Sequence, residues 1–205
     1  MDKEISGYHK SYLERRALYK SFGYDIDKER RFILKQAMPL RGRILEAGTG
    51  KGHFALTLAK AGYSFVTFDI SPDEQRFAKL IIAHAGLKKQ VDFRIENAER
   101  TSFASGSFDA IFLVNVLHHL SNPYLVIDEL IRILSPKGKL ILADFSEEGL
   151  RVMDKIHSLK GDTHEAGEIS LAQAEEYLLR KGFSTKRSQT MHQYVLVSRR
   201  KIPGR

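Results

Sequence analysis

The sequence contains no cysteine. That absence excludes disulfide cross-links, thiolate-ligated metal sites and cysteine nucleophiles together, and it fits a cytoplasmic location. No apolar run approaches the roughly 20 residues a membrane-spanning helix needs, and the N-terminal stretch lacks the architecture of a signal peptide. Internal repeats and low-complexity tracts are also missing. A chain of 205 residues, 42% of them hydrophobic, is therefore expected to form one soluble domain with a substantial core.

The ends of the chain are basic and the middle is not. Residues 1–43 hold 11 basic against 6 acidic side chains, residues 44–179 hold 14 against 19, and residues 180–205 hold 8 against none. A basic surface of this kind either binds phosphates or nucleic acid or is solvated charge that aids solubility.

What the chain does have is glycine at every second position in Glu46-Ala47-Gly48-Thr49-Gly50-Lys51-Gly52, between the apolar pair Ile44-Leu45 and a helical pattern from Phe54. This reads as strand, tight turn and helix. Glycines at 48, 50 and 52 permit positive φ and let backbone N–H groups approach a ligand with no Cβ in the way. The helix that follows aims unpaired N–H donors at the same spot. A nucleotide-like ligand is implied; the competing reading is a glycine-rich turn with no ligand. The spacing differs from the dinucleotide fingerprint G-x-G-x-x-G. The second strand, Ser64 to Asp69, ends in an acid about twenty residues past the glycines, where a βαβ unit places the carboxylate that binds ribose hydroxyls.

The pattern Glu46-x-Gly48-x-Gly50-x-Gly52, with Asp69 closing the next strand, resembles the class I S-adenosylmethionine-dependent methyltransferases. Within them it is similar to the type 11 domains related to the methyltransferases of ubiquinone biosynthesis. The resemblance continues through Phe108-Asp109, opening a continuously apolar fourth strand, Val116-Leu117-His118-His119-Leu120, and Leu134-Ser135-Pro136-Lys137-Gly138-Lys139 leading to Asp144. It implies a three-layer Rossmann-like α/β fold, with a mostly parallel seven-stranded sheet and an antiparallel terminal hairpin. The domain would span residues 41–205, with residues 1–40 a helical lid segment on the same domain. A tyrosine or arginine of that segment would reach the methionine carboxylate; Tyr8, Tyr12, Tyr19 and Tyr24 and the basic Arg15, Arg16, Arg30 and Arg31 are the candidates, beside the plainer reading as packing and solvated residues.

For the remaining positions the resemblance implies S-adenosyl-L-methionine as cofactor, with S-adenosyl-L-homocysteine as product. Gly48 and Gly50 would approach the methionine part, Glu46 its amino end and Asp69 the ribose hydroxyls. Ile70 would cover the adenine, and Asn97 and Ala98 would meet its polar edge. Asn97 stands where the family usually has an acid; an amide oxygen accepts the same hydrogen bond. Leu113 and Asn115 lie at the carboxyl end of the fourth strand, where open α/β sheets bind ligands. The Asp/Asn-Pro-Pro-Tyr tetrad of nucleobase amino methyltransferases is missing there. Adjacent His118 and His119 point about 100° apart on a helix, so a shared metal is not expected. The candidates for a catalytic base are His119 and Asp144, with packing and water contact as the competing accounts; His164 and Glu165 are weaker candidates for acceptor contacts.

Local signals complete the pattern. Ser71-Pro72-Asp73-Glu74 opens a helix with Phe77, Leu80, Ile81 and His84 on one face, and Ser170-Leu171-Ala172-Gln173 is a capping box. A helix after Asn122 carries the stripe Leu125, Val126, Leu130, Ile131 and Leu134, and Pro136-Lys137-Gly138 is read as a turn. The expected partner is a small-molecule acceptor, since no appended recognition domain is visible. An RNA-directed methyltransferase using the basic N-terminal segment, a nicotinamide-dependent oxidoreductase on the same sheet, and a non-catalytic S-adenosylmethionine-binding module are the alternatives.

Overall fold

The computed structural model describes residues 2–159 and 169–201. His164, Glu165 and Glu168, and the side chain of Tyr8, lie outside the described set. Two helices come first, α1 (Asp2–Ser21) and α2 (Ile26–Ala37). Strands and helices then alternate, except that β4 follows β3 with no helix between: β1 (Ile44–Ala47), α3 (His53–Lys60), β2 (Phe65–Asp69), α4 (Pro72–His84), β3 (Val91–Ile95), β4 (Phe108–Val114), α5 (Pro123–Ile133), β5 (Leu134–Phe145) and α6 (Glu147–Ser158). The chain closes with α7 (Leu171–Arg180) and the hairpin β6 (Phe183–Gln189) and β7 (Gln193–Arg200).

The seven strands lie in the order β3-β2-β1-β4-β5-β7-β6, with β7 antiparallel to both β5 and β6 and every other pair parallel. The order reverses between β1 and β4, so the crevice beyond their carboxyl ends is the place where such a sheet accepts a ligand. This is the α/β architecture the motifs implied.

Burial on both faces explains why β4 is continuously apolar from Ala110 to Val114. One core cluster joins Leu45, Phe108, Ile111 and Leu113 to α5 and α7 through Val126, Ile127, Leu130 and Leu178. The other joins Ile44, Phe112 and Ile141 to α2, α3 and α4 through Ile33, Phe54, Leu58, Ile81 and Ile82. A third, smaller cluster packs Tyr24 and Ile26 against Val152, Met153 and Ile156 of α6.

The cap signals hold: the Ser71 hydroxyl accepts from the Glu74 amide, and Ser170 with Gln173 forms a complete capping box. Three local readings are corrected. Pro136-Lys137-Gly138 is not a turn but part of β5, which leaves α5 directly; the register to β4 slips between Phe108 and Ala110, an irregularity that absorbs the extra residues. In α4 the buried face is Gln75, Ala78, Ile81 and Ile82. Phe77 and Leu80 are half-buried, and His84, exposed overall, stacks on His9 of α1, which packs against this helix. In α5 the stripe is Val126, Ile127, Leu130 and Ile133, whereas Leu125 is 55% exposed.

Candidate functional site

The three glycines have three different reasons to be glycine. All take positive φ, at 80°, 47° and 82° for Gly48, Gly50 and Gly52. A Cβ on Gly48 would stand 2.5 Å from Val116 Cγ2, and one on Gly52 would stand 2.8 Å from the Ala78 backbone. A Cβ on Gly50 would meet nothing within 4 Å. Two glycines thus allow close packing of the turn on its neighbours, and the third faces open space. The amides of Gly48 and Thr49 both donate to the Phe68 carbonyl at 2.9 Å, fastening the turn to the end of β2.

That open space is a cavity of about 570 Å³ beyond the carboxyl ends of β1 and β4, a size suited to a nucleoside with an amino-acid tail. Glu46, Gly48, Gly50, Asp69, Ile70, Asn97, Ala98, Leu113, Asn115 and His119 all line it; Asp144 does not. Asp69 is held by its own chain, Oδ2 accepting from the Gly50 amide at 2.7 Å and Oδ1 from the Ser71 amide at 2.9 Å. Each oxygen keeps a further lone pair for a ribose hydroxyl. Ile70 is 67% exposed beside it, an apolar surface suited to a flat ring. Asn97 Oδ1 already accepts from the Glu99 amide at 2.9 Å, so the oxygen expected to meet an adenine amino group also holds a turn.

Glu46 is 1% exposed and accepts from Thr67 Oγ1 at 2.6 Å, with the Thr49 hydroxyl 2.7 Å further on. Burial pushes its carboxyl up to about 8, the Thr67 bond and Arg30 only partly offsetting that effect.

Arg30, which the sequence offered only as one of several candidates for the methionine carboxylate, and His53, which it did not single out, complete the wall. Arg30, from α2, is 8% exposed and lines the cavity. Its Nη1 donates to the Tyr24 hydroxyl at 3.3 Å and to Gln193 Oε1 at 3.4 Å, and its Nε has no hydrogen-bond partner among the described residues. His53, at the start of α3, stacks on Tyr12 of α1 with ring centroids 5.3 Å apart. Burial, then the charge of Arg30, drives its pKa down to about 3, so it is neutral. The only sequence signal for Arg30 was membership of a basic face; its burial depends on tertiary packing.

A second cavity, of about 470 Å³, opens beyond β5 and is lined by His118, Asp144, Phe145, Leu150, Ile169 and Tyr194 among others. The sequence offered His119 or Asp144 as the base; the structure sets the two on different cavities and brings Asp144 to His118. Asp144 Oδ1 lies 2.5 Å from His118 Nδ1, and its Oδ2 accepts from the His118 amide at 3.1 Å. Both residues are buried. The rings of His118 and His119 are 4.0 Å apart, so adjacent residues of a short 3₁₀ turn face the two cavities. Arg187 lines the second cavity and pairs with Glu175, whereas Arg199 and Arg200 sit at the opposite end of β7. Among the described residues no group of three or more His, Asp or Glu side chains is placed to hold a metal ion, and no helix is long and apolar enough to cross a membrane.

Residues 45–142 match the model of a methyltransferase domain. The chain is 27% identical over 150 residues to the ubiquinone biosynthesis O-methyltransferase of Xanthomonas axonopodis pv. citri, an alignment covering 67% of this chain and 62% of that one. It thus spans about three fifths of that relative's length. Among solved structures it superposes on the PH0226 protein of Pyrococcus horikoshii with a TM-score of 0.71 at 20% identity, covering 85% of this chain and 89% of that one. For an S-adenosylmethionine-dependent methyltransferase of Aquifex aeolicus the TM-score is 0.64 at 18% identity, with 83% and 88% covered. With the glycine turn, the acid ending β2, the sheet order and this matched region all in agreement, the chain carries a methyltransferase domain over residues 45–142 and has the fold and donor-site features of the class I S-adenosylmethionine-dependent methyltransferases, whose cofactor is S-adenosyl-L-methionine.

Proposed function

We propose that the protein transfers a methyl group from S-adenosyl-L-methionine to a hydroxyl oxygen of a small-molecule acceptor. The observation that carries this reading is the buried His118–Asp144 pair, at 2.5 Å, on the wall of the second cavity, with the neighbouring His119 on the wall of the donor-sized one. The name of the relative from Xanthomonas, an O-methyltransferase, is consistent with it.

The donor cavity fits its group by its own chemistry: an open face over Gly50, a carboxylate at Asp69 fixed by two amides, and a buried arginine with an unpartnered Nε. Asp69 would hold the ribose hydroxyls, Ile70 and Ala98 the adenine, Glu46 the ammonium and Arg30 the carboxylate. The cofactor supplies a methyl already activated on a sulfonium, so the protein's task is alignment and exclusion of water. In the second cavity Phe145, Leu150, Ile169 and Tyr194 offer apolar surface for an acceptor skeleton. With Nδ1–H donating to Asp144, His118 carries its basic lone pair on Nε2, the atom that would take the hydroxyl proton as oxygen attacks. Asp144 would keep the ring in that tautomer and stabilise the imidazolium.

The test has two arms. Calorimetric titration with S-adenosylmethionine, S-adenosylhomocysteine and NADH should give micromolar binding of the first two, no binding of NADH, and loss of binding in Asp69→Ala. With an acceptor in hand, His118→Ala and Asp144→Asn should each lower turnover about 10²-fold or more at unchanged donor affinity. Failure of both adenosyl ligands to bind would refute the donor assignment; unaltered turnover in both variants would refute the base.

A further inference from the structure

The donor cavity is completed by a buried polar cluster whose members come from both ends of the chain. Tyr24 and Arg30 belong to the N-terminal segment, Asn115 follows β4, and Gln193 opens β7. Gln193 is fully buried at 0% exposure and Tyr24 is at 1%. The Tyr24 hydroxyl donates to Gln193 Oε1 at 3.3 Å, the same oxygen that faces Arg30 Nη1. Gln193 Nε2 in turn donates to Asn115 Oδ1 at 2.6 Å, which leaves Gln193 Oε1 facing Tyr24 and Arg30. Asn115 also takes φ 55°, the left-handed region a non-glycine residue seldom occupies.

The chemistry of the cluster is one-sided. Every partner that Arg30 has in it is a neutral oxygen, supplied by a phenol or an amide. The adjacent acid Glu29 is engaged elsewhere, accepting from Thr190 Oγ1 at 2.6 Å with His192 Nδ1 at 3.6 Å. A buried guanidinium braced only by neutral groups keeps its full charge for a ligand, and its unpartnered Nε sits in a residue that lines the cavity. Replacing those neutral acceptors by a protein carboxylate would neutralise the receptor; deleting them would leave it free to swing.

We propose that Gln193 and Tyr24 are positioning residues for the donor: they hold the Arg30 guanidinium, without neutralising it, so that it receives the carboxylate of the cofactor's amino-acid part. The terminal hairpin is thereby part of the donor site, although its residues lie outside the glycine turn and the matched methyltransferase region. This inference rests on the donor reading above.

The experiment compares two ligands, one with and one without the whole amino-acid part, carboxylate and ammonium together; the variants at Arg30, Gln193 and Tyr24 assign the difference to the carboxylate. S-adenosylhomocysteine carries the amino-acid carboxylate, and 5′-methylthioadenosine has the same nucleoside and sulfur without it. Wild type, Gln193→Met, Tyr24→Phe, Arg30→Met and the Gln193→Met/Arg30→Met double variant are titrated with both by calorimetry, and their thermal midpoints are recorded. Wild type should prefer S-adenosylhomocysteine. Gln193→Met should weaken that ligand about tenfold and Arg30→Met about tenfold to a hundredfold, the range of a hydrogen bond to a charged group. Each should leave 5′-methylthioadenosine within about twofold. Tyr24→Phe, which removes one hydroxyl and keeps the packing, should act in the same direction, and the double variant should be no worse than Arg30→Met alone.

Equal loss of both ligands in Gln193→Met and Tyr24→Phe would overturn the proposal in favour of a merely structural role, as would unchanged binding of S-adenosylhomocysteine in those variants. Equal affinity of wild type for the two ligands would overturn it while leaving the donor reading intact. Binding of neither ligand by wild type would overturn both.

Discussion

A single carboxyl sets the pH response of the donor site. Glu46 has a folded pKa of about 8, above its ordinary 4.5. Between those values the folded state keeps a proton that the unfolded chain has released, so the stability this group contributes is present below about 4.5 and is lost as pH rises towards 8. Glu46→Gln retains an acceptor for the Thr67 hydroxyl and removes the titration. Its unfolding free energy should therefore fall less than that of wild type between about pH 5 and pH 8, the gap reaching a few kcal/mol. Parallel denaturation curves across that range would refute the assignment. Asp69, by contrast, was legible from sequence because its role follows from position alone, at the end of the strand after the glycine turn. What sequence could not show is that both its oxygens are already bonded by Gly50 and Ser71, since that depends on how the turn closes.

Among the elements, the glycine turn separates fold from ligand. Gly52→Ala forces a Cβ to 2.7 Å from Ala78 Cβ and 2.8 Å from its Cα, at φ 82°. With backbone in the way, a loss of about 2–4 kcal/mol is expected. Gly50→Ala meets nothing within 4 Å and carries only the left-handed backbone cost of about 1–2 kcal/mol. It should fold nearly as well as wild type yet bind S-adenosylhomocysteine at least tenfold more weakly, because its methyl group enters the cavity. Thermal midpoints and calorimetry on the two variants separate these outcomes; similar damage to affinity and stability in both would contradict the division. The turn itself was readable because backbone constraints and glycine identity are local. The α4 and α5 faces were misread because α1 packs on the outside of α4, and α5 turns into β5 without a loop. No periodicity within a helix records what lies against its outer side. The pairing of Asp144 with His118 was hidden for a related reason: the short 3₁₀ turn at residues 117–119 sends neighbouring histidines to different cavities.

For the molecule as a whole, β7 is the keystone of the sheet's second half. It lies between β5 and β6, and consecutive fully buried residues serve both faces, Val195 in one core cluster and Leu196 in the other. A chain ended after Gly182 would leave β5 with an unpaired edge and strip both clusters of apolar contacts. It should show no cooperative thermal transition, and a sharp transition in that variant would contradict this account of the core. The alternation of strands and helices up to Asp144 made the architecture legible. The joining of Arg30 to Gln193, residues 163 positions apart, was not, because no local pattern links them. That separation also sets an order of events during synthesis. A ribosome delivers the glycine turn by about residue 52, but the amide that braces Arg30 is added only at residue 193. A nascent chain stalled between those points would carry an unfinished receptor, so full affinity for the cofactor would be acquired only once the hairpin has been made.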